Sequence, residues 1–205
     1  MSMGRVSFAA RHDFDALPQS PDVDVRCAQF SEIAALSEMA HRLVPGVEIG
    51  AAELAKYLTF DPQSILTFSR KGKLLGGMAF LFLSERGHDA LLLDEICLTA
   101  PETHYLAAPR QDVAAIYIWA IAASGRGIAG LGKAAAHLRQ LRFRSADCYA
   151  QPSTVAGRDI MRATGFEPVP SFQPDLWCYQ RPWHRQPMRM PAAIIHARSF
   201  ADARY

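Results

Sequence analysis

The stretch Ile118-Trp119-Ala120-Ile121-Ala122-Ala123-Ser124-Gly125-Arg126-Gly127-Ile128-Ala129-Gly130-Leu131-Gly132-Lys133 constrains the fold of this chain more than any other. Residues 113–123 are apolar without polar alternation, the pattern of a strand covered on both faces. A sharp turn at 124–127 follows, and a helix is predicted through 133–143 with Leu131, Ala135, Leu138 and Leu141 as its buried stripe. A buried strand feeding a glycine-rich turn that opens a helix is a cradle for anions, because free backbone N–H groups and the helix dipole face the same way. Glycine lets the backbone approach a phosphate closely and tolerates positive φ. The plain alternative is an ordinary strand-to-helix turn that is rich in glycine.

Three ligand-binding patterns fit these residues. Gly125-x-Gly127-x-x-Gly130 satisfies the dinucleotide fingerprint, with Asp147 near the spacing it requires. Gly127-x-x-x-x-Gly132-Lys133 satisfies most of a P-loop, but Ala134 stands where a metal-binding hydroxyl belongs. Gly127-x-x-Gly130-x-Gly132 fits a third, a pyrophosphate loop. Glycine spacing alone does not choose between them; context does. A dinucleotide fold needs further strand–helix units, and too little chain follows the turn to supply them. The acidic strand end Asp94-Glu95 lies upstream of the turn, where a Walker B acid would lie downstream.

Along the chain, residues 1–22 read as an extended leader without the apolar run of a signal peptide. Residues 23–29 read as a strand, and Ser31 caps a helix carrying Ile33, Leu36, Ala40 and Leu43. Pro45-Gly46 stops that helix and a second covers 51–58. Residues 65–69 and 74–83 form a hairpin around Lys71-Gly72-Lys73. Residues 90–98 are a further strand candidate, followed by a loop with Pro101 and Pro109. Residues 147–151 are a short strand. Ser153 then caps a helix with Ala156, Ile160 and Ala163 inward and Gly165 as its left-handed stop. Residues 166–169 and 176–180 close the sheet. The remainder, 181–205, holds Arg181, Arg185, Arg189, Arg198 and Arg204 against one acid, and reads as an appended tail dispensable for folding. One domain, 23–180, with a leader and a tail is therefore expected.

Half of the 205 residues are apolar, enough for a real core, and the net charge of +2 singles out no class of partner. Cys27, Cys97, Cys148 and Cys178 are scattered, so neither a disulfide framework nor a zinc site is expected. No apolar stretch approaches the ~20 residues of a membrane helix. A cytoplasmic protein with no membrane, nucleic-acid or metal partner is the expectation.

The third glycine pattern resembles the pyrophosphate loop of the GCN5-related N-acetyltransferase (GNAT) family, usually Gln/Arg-x-x-Gly-x-Gly/Ala. Ala156-Gly157-Arg158-Asp159-Ile160-Met161-Arg162-Ala163-Thr164-Gly165-Phe166 resembles that family's late helix, which ends in Gly-Phe before a strand. The family's layout of a strand, two helices, a hairpin and then the loop beyond mid-chain is also the order read above. The resemblance covers 23–180 and implies an α/β fold: a mixed, mostly antiparallel twisted sheet flanked by helices.

It implies acetyl-CoA or another acyl-CoA as co-substrate, no metal, and direct attack by a primary amine of a small molecule or peptide. Implied cofactor contacts fall on Ile121, Ala122, Ala123, Arg126, Gly127, Ile128, Ala129, Gly130, Leu131, Gly132, Lys133 and Thr154. The backbone of 119–123 would pair with the pantetheine arm, and one of its N–H groups would polarise the thioester carbonyl. Arg126 and Lys133 add charge near phosphates or are simply solvated. Two departures stand out. Gly127 occupies the Gln/Arg place, with Arg126 one residue away. Thr154 and Met161 occupy the places of an Asn and of the Tyr that serves as general acid. Tyr149 is the first choice of substitute acid, against an ordinary core tyrosine. Asp94 and Glu95, adjacent on the expected strand, offer one inward carboxylate as base or substrate anchor, against a salt bridge at a strand end. His104 and Tyr105 lie in a loop of the kind that covers an acceptor site. Alternatives are a CoA-sensing module without turnover and an NAD- or ATP-binding protein. A homodimer is left open.

Overall fold

A computed structural model of the chain describes residues 12–44, 46 and 49–181. Residues 1–11 of the leader and 182–205 of the tail lie outside the described residues.

The hairpin anchors the sheet. Strands β2 (Ile65–Arg70) and β3 (Lys73–Leu83) turn through Lys71 and Gly72, both at positive φ, and pair antiparallel. Strand β1 (Asp24–Cys27) adds to β2, and β4 (Ala115–Ala123) adds antiparallel to β3. Strand β5 (Asp147–Ala150) then pairs parallel with β4, and β7 (Trp177–Tyr179) and β6 (Glu167–Pro168) complete the order β1-β2-β3-β4-β5-β7-β6. With a single parallel pair among the described strands, the sheet is the mixed, mostly antiparallel one expected. It is not the mainly parallel, doubly wound sheet on which dinucleotide folds are built.

Helices cover both faces. Helices α1 (Ile33–Leu43), α2 (Ala51–Phe60) and α3 (Glu85–Leu92) pack Leu36, Leu54, Tyr57, Leu58 and Leu91 against Leu81, Leu83, Tyr117 and Trp119. Helices α4 (Leu131–His137) and α5 (Val155–Ala163) cover the other face, where Leu131, Leu138 and Met161 join Phe68, Phe80, Phe82, Ile116 and Ile118. A 3-10 turn at Phe30–Glu32 leads into α1, and its cap is built on Glu32 rather than the expected Ser31: the Glu32 carboxylate accepts from the Gln29 N–H at 2.8 Å and from the Arg26 guanidinium at 2.7 and 2.9 Å.

One irregularity shapes everything that follows. Phe80 is opposite Ile118 but Ala79 is opposite Ala120, so Trp119 is an extra residue on β4. Such a bulge kinks a strand and resets its alternation. Before it, the odd residues Ala115 and Tyr117 face α1–α3; after it, Ile121 and Ala123 face the α4 side. The β4–β5 pairing ends at the same place, with Ile118 opposite Ala150.

Two expectations about these elements are corrected. Residues 90–98 are no strand: α3 occupies their first part and an irregular loop the rest. Ser84 caps α3 by accepting from the Gly87 N–H at 3.2 Å, and Asp94, at φ 58°, leaves the end of the helix left-handed. Leu141 is 75% exposed rather than part of a buried stripe, because α4 ends at His137.

The described core takes in residues on both sides of 23–180. Phe14, in a 3-10 turn at Phe14–Ala16, is buried against Phe166 and Tyr179. Arg181 is 1% exposed. Its guanidinium bonds the Asp15 carboxylate and donates to the carbonyls of Ala146 and Leu138, each at 3.0 Å. Single side chains that lock onto distant parts of the chain leave no local pattern in a sequence.

Candidate functional site

Where β4 and β5 part company, a cleft of about 380 Å³ opens. One wall is the edge of β4 after the bulge, carrying Trp119, Ala120, Ile121 and Ala123, with Ile128 beyond. The opposite wall runs from Gln151 through Thr154 to the inner side of α5, with Gly157, Ile160 and Met161. Leu43, Val44, Ile49, Leu98 and Thr99 also line the cleft. On its other edge β4 remains paired with β3 as far as Ala123. Among the described residues its backbone at 119–123 is therefore zipped on one side and unpaired on the cleft side, an open strand edge offered to an extended ligand.

The walls are held by identifiable bonds. The Trp119 indole N–H donates to the Leu98 carbonyl at 2.7 Å, and the Tyr57 hydroxyl to the Pro101 carbonyl. Together they fix the loop that replaces the expected strand. Thr154 caps α5 by accepting from the Gly157 N–H at 2.9 Å, so the cap expected at Ser153 falls one residue later. Gly165 takes the expected left-handed turn, at φ 86°.

The glycine-rich turn sits at the far end of β4. It winds as a 3-10 helix over Gly125–Gly130 before α4 begins. A Cβ on Gly127 would come within 2.8 Å of the Leu75 carbonyl oxygen, one on Gly130 within 2.7 Å of the Phe68 ring, and one on Gly132 within 2.2 Å of the Pro18 carbonyl oxygen. These glycines are thus explained by packing of the turn against β2, β3 and residue 18, a cause the spacing could not reveal. Gly125, at φ 53°, has open space around it. Cations gather at the turn. Arg126 approaches Asp22 at 4.0 Å, Lys133 approaches Asp24 at 4.0 Å, and Arg70, which sequence reasoning passed over, lies 3.5 Å from Asp22. All three pairs are loose and solvated enough to exchange partners readily.

Of the expected contact residues, the cleft therefore gathers Ile121, Ala123, Ile128 and Thr154. Arg126 and Lys133 stand at the turn, Ala129 is half-buried, and Gly127, Gly130, Leu131 and Gly132 are buried in it. Ala122 turns its side chain toward Met39 and Ala40 of α1.

The expected catalytic groups fare differently. Asp94 and Glu95 are both exposed beyond the end of α3, so neither is the inward carboxylate that a strand would have provided. Tyr149 is buried with its hydroxyl 2.9 Å from His88 Nε2, under α3 and outside the lining of the cleft. Burial pushes its pKa far above the ordinary tyrosine value. His104 pairs with Glu102 at 3.2 Å in the loop before β4. The tyrosine that does line the cleft is Tyr117, whose hydroxyl donates to Gln151 Oε1 at 2.9 Å. Its pKa too is raised by burial. Its signal in the sequence was a lone hydroxyl inside an otherwise apolar strand.

Among the described residues, no helix is long and apolar enough to cross a membrane. No family model and no curated protein matches the sequence. Some solved structures are similar. The loading GNATL domain of CurA from Lyngbya majuscula aligns with a TM-score of 0.49 at 12% identity, over 62% of this chain and 63% of that one. The GphF GNAT-like decarboxylase in complex with isobutyryl-CoA aligns at 0.46 and 18%, over 62% and 64%. This chain thus spans just under two thirds of each of those. A GNAT family acetyltransferase from Brucella melitensis in complex with acetyl-CoA aligns at 0.45 and 17%, over 82% of this chain and 91% of that one.

Proposed function

We propose that the chain is an acyl-CoA-dependent N-acyltransferase of GNAT type. The observation that carries this reading is the unpaired edge of β4 at 119–123, facing a cleft that the bulge at Trp119 opens against β5. A pantetheine arm is an extended chain with amide donors and acceptors, and it fits such an edge as an added strand would. The acyl end then lies deepest, between Trp119 and Gln151. The phosphates lie toward the turn at 124–127, where Arg126, Arg70 and Lys133 exchange their aspartate partners for them. Gly127, Ile128, Ala129 and Gly130 of the turn, with Leu131 and Gly132 at the start of α4, present this end of the cleft, and Thr154 and the backbone of Ala122 bound the arm.

In the reaction, the amine nitrogen attacks the thioester carbonyl carbon. A β4 N–H at the open edge stabilises the oxyanion. As the tetrahedral carbon collapses, the C–S bond breaks, the C–N bond remains, the nitrogen loses a proton and the thiolate takes one up. Met161, in the place of the family's tyrosine, has no proton to give. Solvent reaching the cleft supplies it in this reading, and Tyr149, bonded to His88, is the weaker candidate.

The second reading, a CoA-binding module without turnover, is favoured by that same Met161. Native mass spectrometry of the purified protein separates the outcomes. Copurified CoA or acyl-CoA supports the cofactor assignment. NAD or ATP in its place overturns it.

A further inference from the structure

A hydrogen-bond chain runs from the cleft to α3, and its direction can be derived. Gln173, 4% exposed, donates through Nε2 to the Leu91 carbonyl. A carbonyl only accepts, so the orientation of the Gln173 amide is fixed and its Oε1 must accept. Gln151 Nε2 donates to that oxygen at 2.7 Å. The Gln151 amide is thereby fixed as well, leaving its Oε1 to accept from the Tyr117 hydroxyl at 2.9 Å. Every link points the same way, from Tyr117 toward α3, and bonds aligned head to tail strengthen one another.

The consequence falls on Tyr117. Its one proton is committed to Gln151, so its oxygen has only lone pairs to offer to the cleft. Burial holds the proton on the oxygen. Among the described residues, Gln151 is the only side chain bonded to that hydroxyl. What it can receive is a ligand's donor. Leu43, Ile49, Leu98 and Trp119 line the same cleft and suit an apolar substituent on that donor.

Resting on the acyltransferase reading, we propose that Tyr117 selects the acceptor: its hydroxyl oxygen receives an N–H of an apolar primary amine and holds the nitrogen for attack. Tyr117 is in this account an acceptor-binding residue and gives no proton to the leaving thiolate. Gln151 and Gln173 are positioning residues that act through it.

The test uses the full chain, acetyl-CoA, and three amines: hexylamine, benzylamine and phenethylamine. Tyr117→Phe removes the acceptor and keeps the ring. It should raise the amine KM about three- to ten-fold, the worth of one neutral hydrogen bond. The Kd for acetyl-CoA by calorimetry and the melting temperature should barely change. Gln173→Leu, outside the cleft lining, releases the Gln151 amide to turn its N–H toward Tyr117. It should raise the amine KM in the same direction, by less. An unchanged amine KM in Tyr117→Phe overturns the assignment. So does a wild-type protein that binds acetyl-CoA yet acylates none of the three amines, an outcome that leaves the cofactor reading standing. A wild-type protein that binds no acetyl-CoA overturns the acyltransferase reading itself, and this assignment with it.

Discussion

Replacing Arg181 with methionine should unfold this protein far more readily than its place in the sequence suggests. The substitution keeps side-chain length and removes every donor. Three acceptors then lose their partner: the carboxylate of Asp15 and the carbonyls of Ala146 and Leu138. Breaking a buried ion pair by removing one member costs about 3–5 kcal/mol, mostly through the groups left behind. Asp15 keeps 19% of its side-chain surface and can be hydrated, so the lower end, about 3 kcal/mol, is expected. With a urea m-value of about 2 kcal/mol/M, the midpoint should fall by about 1.5 M. Equilibrium urea unfolding followed by tryptophan fluorescence measures this directly. The backbone bond from the Arg181 N–H to Asp147 Oδ1, 2.7 Å, survives the substitution. The loss therefore isolates the guanidinium. A midpoint shift below about 0.5 M, or under ~1 kcal/mol at that slope, would refute the claim that Arg181 belongs to the core.

Gly130→Ala should already destabilise by about 1–3 kcal/mol through overpacking against the buried Phe68 ring, and Gly130→Val by more; urea midpoints equal to wild type would show the turn to be looser than described. For this reason Gly130→Val is no clean test of cofactor binding, since fold and site fail together. Asp22→Asn should tighten CoA binding a few-fold at low salt by freeing Arg126 and Arg70, and the gain should shrink as salt screens the charges; calorimetry showing weaker binding would place the phosphates elsewhere. His137 is held below the ordinary histidine pKa, chiefly by burial and against the pull of Asp61, and among the described residues its buried Nε2 has no hydrogen-bond partner. The unfolded chain therefore binds the proton more readily, so stability is full above about pH 6.5 and falls on acidification below it. Melting temperatures from pH 7.5 to 5 should fall more steeply in wild type than in His137→Gln; parallel curves would contradict this.

Much of the frame was legible because local chemistry dictates it. The Lys71–Gly72 turn fixes the hairpin, continuous apolar residues mark β4, and the glycine at 165 ends α5 as glycines do. The misread segment, 90–98, shows where local reading stops. Ala90-Leu91-Leu92-Leu93 carries neither period, and a short apolar run suits a helix as well as a strand. With the helix went the inward carboxylate, since Asp94 and Glu95 had a buried face only if the strand existed. The glycines of the turn were legible by spacing, but their cause was not. Phe68 and Pro18, which exclude a Cβ there, lie far off in the chain. The bulge at Trp119, which opens the cleft, is a matter of register between strands and has no mark in the sequence of either.

Whether an acyl-CoA lies along the open edge of β4 is measured most directly by amide hydrogen exchange with and without acetyl-CoA. The account predicts slowed exchange within residues 119–123, whose cleft-side N–H groups gain acceptors, with less change in β1 and β2. Binding of acetyl-CoA that leaves exchange at 119–123 unaltered, or slows it only elsewhere, would contradict the account.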